Sequence, residues 1–206
     1  MTTFIRLALG LAATAVSISV LTGCSRIDDI KALTDAATTA VEQLSDTAGG
    51  VTDLAAAELV TTDGIDTAFG AISERVGADP MNVVEIVITG QVVTVQAVDP
   101  VAPTELNQWT YTAGHVGDLR PVDYDDDTEA LQQNLFPVTD VPATAIMTAV
   151  DNAIGASGIA DGAVQSVVVK RNLPFTDDLQ ILVNVQGERS NMQVRADATG
   201  RVTDVL

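Results

Sequence analysis

Among 206 residues there is one histidine, His115, and one cysteine, Cys24. A hydrolytic triad would need that histidine beside a serine and a carboxylate. It lies instead in the Gly-flanked run Ala113-Gly114-His115-Val116-Gly117, and no Gly-x-Ser-x-Gly elbow is present. A turn histidine without catalytic duty is the expectation. Zinc takes several His or Cys ligands, so one of each makes no site. The phosphate-cradling Gly-x-x-x-x-Gly-Lys-Ser/Thr and dinucleotide-binding Gly-x-Gly-x-x-Gly loops are missing as well. The run Asp123-Tyr124-Asp125-Asp126-Asp127-Thr128-Glu129 spaces oxygen ligands as a calcium loop does. Thr128, however, stands where such a loop needs Gly, and Asn134 where it needs a bidentate Glu. A solvated acidic stretch, with Asp127 or Thr128 capping a following helix, fits better. Trp109 and Tyr111 lie two apart on one strand face and are the candidate anchors for a partner. No catalytic residue, metal ligand or cofactor emerges, so the chain does not read as an enzyme.

The remaining reactive group is the Cys24 thiol, and its surroundings are specific. Arg6 and the α-amino group make a short positive start, and an uncharged, mostly apolar stretch runs from Leu7 to Val20. That length suits a signal-peptide core and is short for a membrane span. It closes on Leu21-Thr22-Gly23-Cys24. These four residues resemble the lipobox of bacterial lipoproteins, in which small residues admit the peptidase and the cysteine takes a diacylglyceryl group. The resemblance implies cleavage before Cys24, lipidation of its sulfur with palmitate-type chains, and attachment to the outer face of a membrane. In a Gram-negative cell that membrane would be the outer one. Two or three acyl chains hold firmly, at about 0.8 kcal/mol per buried methylene, where a single chain holds marginally.

Charge argues the same way. The formal net charge is −18, and losing Arg6 with the first segment makes it −19. Such a surface repels nucleic acid and anionic headgroups alike, so a covalent anchor is what could keep it on a bilayer. With only Cys24, no internal disulfide can form. Aromatic residues make up just 3 % of the chain, which predicts an aliphatic core.

The elements that would position these groups fall into a pattern. After the signal peptide at 1–23, residues 24–60 hold the lipidated cysteine and a helical tether. Ile27, Ile30, Ala37, Val41 and Leu44 form its narrow apolar stripe, and Gly49-Gly50 ends it. Beyond it the chain repeats. Ile65, Ala68, Phe69, Gly77, Val83 and Ile86 match Ile146, Ala149, Val150, Gly158, Val164 and Val167 at an offset of 81. Trp109, Tyr111 and Gly117 match Met192, Val194 and Gly200 at 83. Met192 and Val194 look like core residues, which tells for packing of the Trp109 and Tyr111 rings.

Each half is expected to open with an amphipathic helix, Asp63–Val76 or Thr144–Ala156, closed by Gly. Strands follow at Val83–Thr89 and Val92–Val98 about a tight turn at Gly90, and at Val164–Lys170 and Leu179–Gln186 about a longer loop with Pro174. A last strand in each half turns at Gly117 or Gly200. The fold class is therefore α+β: two similar units, each one helix packed on a three- or four-stranded antiparallel sheet, after the N-terminal helical tether. Residues 61–122 form the first repeat and 142–206 the second, with an acidic linker at 123–141 carrying a short helix at Thr128–Leu135.

The second half resembles the PepSY domain. The resemblance rests on Gly162–Val169, on Gln180–Gln186, and above all on the ending Asp197-x-x-Gly200-x-Val202. PepSY modules occur in peptidase propeptides and envelope proteins, which implies a binding or inhibitory role and no catalytic residues. The doubled unit also resembles the tandem layout of the β-lactamase-inhibitory protein, without a shared motif. The function expected is a membrane-anchored, extracytoplasmic, non-catalytic module that binds an envelope protein or peptide, peptidase inhibition being one form. The alternatives are a passive role in envelope assembly and calcium-assisted ligand binding at the Asp run.

Overall fold

The computed structural model describes residues 59–206. Cys24, the lipobox and the tether stripe lie outside the described residues.

Helix α1, Thr62–Val76, starts where the Thr61 hydroxyl accepts the Gly64 N–H at 3.0 Å, and stops at Gly77 in the left-handed region (φ 78°). Its inner stripe is Ile65, Ala68 and Ile72, at three- and four-residue steps. Strand β1, Asn82–Thr89, turns through Gly90 into β2, Val92–Val98; β3 follows at Leu106–Thr112. Two short strands, β4 (His115–Val116) and β5 (Arg120–Pro121), pair with β3. Helix α2, Thr128–Asn134, is capped by Asp127, whose carboxylate accepts the Ala130 N–H at 2.9 Å. A two-residue strand β6, Phe136–Pro137, leads to helix α3, Ala143–Ser157, closed by Gly158 at φ 70°. Strands β7 (Ala163–Arg171), β8 (Leu179–Gln186), β9 (Asn191–Asp197) and β10 (Val202–Val205) complete the chain.

The α+β class and the main helices and strands are as expected. The strands do not form separate sheets, however. β1 pairs antiparallel with β7, from Glu85 opposite Lys170 to Thr89 opposite Ser166, and so joins all ten strands in one sheet. Its main path runs β10-β9-β8-β7-β1-β2-β3-β4. Helices α1 and α3 touch and lie on the same face, α1 over β2–β4 and α3 over β7–β10. Their stripes meet Val83, Ile86, Ile88, Val93, Val167, Val169, Ile181 and Val183 in one aliphatic core. Burying each such side chain contributes about 1.5–3 kcal/mol.

Two differences have physical causes. The β3–β4 turn is made by Ala113 and Gly114, both at positive φ (50° and 83°), and not by Gly117, whose N–H instead donates to the Thr110 carbonyl at 2.9 Å. A two-residue connection needs left-handed backbone at its corner, and Gly114 supplies it three residues early. The acidic stretch 123–141 is built into the fold: Phe136 and Val141 are fully buried, and β6 pairs with the start of β1. Its acids are exposed, while Leu131, Phe136 and Val141 carry the packing.

Candidate binding face

Strand alternation sends one set of side chains under the helices and the other to the opposite face. Bulges at Val83/Glu85 and Val164/Ser166 keep this consistent, each placing an extra residue outward. Among the described residues, that opposite face is covered only at one corner. There Leu131 of α2 packs with Val98 and Leu106, beside Val84, Tyr124 and Leu135.

The strand register arranges the rest of this face in rows. One row reads Asp197, Gln180, Lys170, Glu85, Gln96 and Gln108. The next is Arg195, Leu182, Val168, Val87, Thr94 and Thr110. The third begins Gln193, Asn184 and Ser166, linked by side-chain hydrogen bonds: Gln193 Nε2 donates to Asn184 Oδ1 at 3.0 Å, and Asn184 Nδ2 to Ser166 Oγ at 2.7 Å. The surface is thus an amide lattice with an aliphatic strip, Leu182-Val168-Val87, between two polar rows.

Three observations distinguish it from an ordinary solvated face. First, the described residues contain three buried side-chain polar atoms without a partner, Gln165 Nε2, Gln180 Oε1 and Arg195 Nε, and all three side chains project from this face. A buried polar group left unmatched costs about 1–3 kcal/mol. Second, Leu182 is 7 % exposed yet belongs to neither apolar core. Third, Glu85 is buried here at 8 % exposure, opposite Lys170 without an ion pair at contact distance. Burial pushes its carboxyl above the ordinary glutamate range, and the Lys170 charge pulls the other way.

The residues picked out by sequence lie elsewhere. Trp109 and Tyr111, 8 % and 6 % exposed, pack in the main core under α1, so neither ring can anchor a partner from the surface. Their large apolar area is taken by the helix stripe. His115 opens β4 at the surface, its Nδ1 3.3 Å from the Ala113 carbonyl oxygen, with no serine or carboxylate bonded to the ring. In the acidic run, Asp123 accepts the Asp125 N–H at 3.0 Å and Asp127 caps α2. No group of three His, Cys, Asp or Glu side chains converges among the described residues, so the calcium alternative has no cage behind it.

The Asp197-x-x-Gly200 ending proves to be a locked turn. The Asp197 carboxylate accepts from the Thr199 N–H and hydroxyl, and pairs with Arg201 at 2.9 Å. These bonds, the Thr199 hydroxyl foremost, hold its pKa down to about 2. Gly200, at φ 84°, lies against α3, where a Cβ would collide with the Ala145 carbonyl oxygen and come within 2.7 Å of Thr148 Cβ. Beside this turn a cleft of about 690 Å³ runs along α3. Its Thr148, Asn152, Thr199 and Arg201 are already bonded within the chain.

Sequence reasoning missed the face itself, although a signal was there. In a chain with 28 acidic residues, the outward positions of β7, β8 and β9 hold Gln165, Gln180, Asn184, Gln186, Asn191 and Gln193. Asp197, at the end of β9, is the single carboxylate among those outward positions.

No protein-family model matches the chain, and no curated protein does. The PepSY-like ending therefore has its own residues as support. One solved structure is similar: a protein from Clostridium difficile 630, provisionally named a lipoprotein. It has a TM-score of 0.51 and 15 % identity, over 68 % of this chain and 89 % of the other. At that identity the likeness shows the shared fold. No helix among the described residues is long and apolar enough to cross a membrane.

Proposed function

We propose that this chain is a lipid-anchored, extracytoplasmic lipoprotein whose amide-rich sheet face binds another envelope protein or a peptide without catalysis. The observation that carries it is the gathering of every unpartnered buried polar side-chain atom of the described residues on that one face. Structures retain few such groups, because each costs stability, and a recurring use for them is to meet a ligand. The anchor reading is supported by Leu21-Thr22-Gly23-Cys24 after its apolar segment, and by the name carried by the structural neighbour. Acyl chains on Cys24 would fix residues 24–60 at the bilayer and leave the 61–122 and 142–206 halves to present the face. The matched bulges at Val83/Glu85 and Val164/Ser166 support reading those halves as a duplicated unit. Peptidase inhibition would be one form of the binding.

The test is photo-crosslinking in cells, with a photoreactive amino acid at Asn184 or Thr110 on the face and at Asn152 on α3. A discrete adduct from the face positions and none from Asn152 is the expected result. Adducts equally strong from all three, or from Asn152 alone, would refute the reading.

A further inference from the structure

We infer that the occupant of this face is an extended polypeptide segment, neutral or basic, with apolar side chains at alternate positions. The inference rests on the proposed binding role and names its ligand class.

The unmatched groups are of both kinds. Gln165 Nε2 and Arg195 Nε are donors, and Gln180 Oε1, on a residue only 7 % exposed, is an acceptor. Lys170 adds an ammonium with no ion pair among the described residues. A ligand that satisfies them must offer acceptors and donors in close alternation, as a peptide main chain does. An anion or a metal ion offers one kind alone. The aliphatic strip Leu182-Val168-Val87 runs across the strands, with a polar row on each side. Rows two residues apart along a strand are separated by about 7 Å. A peptide laid along the strip would point alternate side chains down onto it, and its carbonyl and N–H groups sideways toward Gln180 and Lys170 on one flank and Asn184 and Gln193 on the other. From Arg195 to Thr110 the row crosses six strands, roughly 24 Å, the reach of about seven extended residues.

Charge selects among peptides. A chain of net charge −18 repels acidic segments and draws basic ones. The same repulsion opposes a second copy of the chain. No aromatic ring stands in the rows, and sugars are commonly held against such rings, which disfavours a glycan.

The test uses the mature chain from residue 24, with Cys24→Ser for solubility, on an array of random decapeptides. Bound peptides should alternate apolar and polar residues and carry no net negative charge. Leu182→Asp and Lys170→Met should each weaken the best binder about tenfold or more, whereas Asn152→Ala should leave it unchanged. Thermal melts establish that each variant folds, and Lys170→Met keeps the test open if Leu182→Asp does not. Selection of acidic peptides, absence of alternation, or indifference to both face substitutions would overturn the inference. So would binding of a chitin hexasaccharide, or a dimer dispersed by Leu182→Asp. If no peptide binds while a folded protein still crosslinks to the face in cells, the peptide inference alone falls. If crosslinks are lacking too, the binding reading falls with it.

Discussion

At the scale of single residues, two carboxyls bear opposite shifts and predict opposite pH behaviour. Asp197 is held at about 2, below its ordinary 3.8. Its bonds therefore add stability at pH above about 4, and that contribution is lost as pH falls through 2. Asp197→Asn should cost about 1 kcal/mol at pH 7, and the gap to wild type should close toward pH 2 in thermal melts. Glu85 is raised from 4.5, so its burial costs stability progressively as pH climbs from 4.5 to that raised value and in full above it, while below 4.5 both states are protonated. Glu85→Gln should raise the melting temperature at pH 7 and be neutral near pH 4; an unchanged or lowered value at pH 7 would mean that the Lys170 charge outweighs burial. The Asp197 turn was visible in the sequence as a motif, because Asp-x-x-Gly spacing is local. The Glu85 environment was not, because Lys170 and Gln96 reach it from other strands.

At the scale of elements, periodicity sufficed where one face of an element meets one neighbour. Ile65, Ala68 and Ile72 marked α1, and alternation marked Leu179–Gln186 at both ends. It failed where pairing is long-range. Nothing in Asn82–Thr89 tells whether its outer edge faces water or β7, since Val87 and Val168 would suit either. Gly117 misled for a related reason: the 83-residue offset matches it to Gly200, but the corner had already been taken by Gly114. Gly200 is different, because a Cβ there would run into α3. Gly200→Ala should destabilise by roughly 1–3 kcal/mol through overpacking and its positive φ, read by urea unfolding. Gly70→Ala, on α1 with open space beside it, should be neutral or stabilise by up to about 1 kcal/mol.

At the scale of the whole molecule, one sheet separates two duties. Its helical side buries most of the apolar side chains, the candidate anchors Trp109 and Tyr111 among them. Its other side holds amides and unmatched polar atoms. Composition foretold an acidic body with a mainly aliphatic core. It did not foretell that amides would gather on one face with Glu85 buried among them, since that follows only when four strands from each half share a sheet. The account as a whole depends on where this body sits in the cell. Intact-mass measurement of the membrane-fraction protein, beside Cys24→Ala, addresses that directly. A chain starting at Cys24 and heavier by a diacylglyceryl group, with the variant lacking that added mass, is the result expected. A membrane-fraction chain that still begins at Met1 with a free thiol would contradict it.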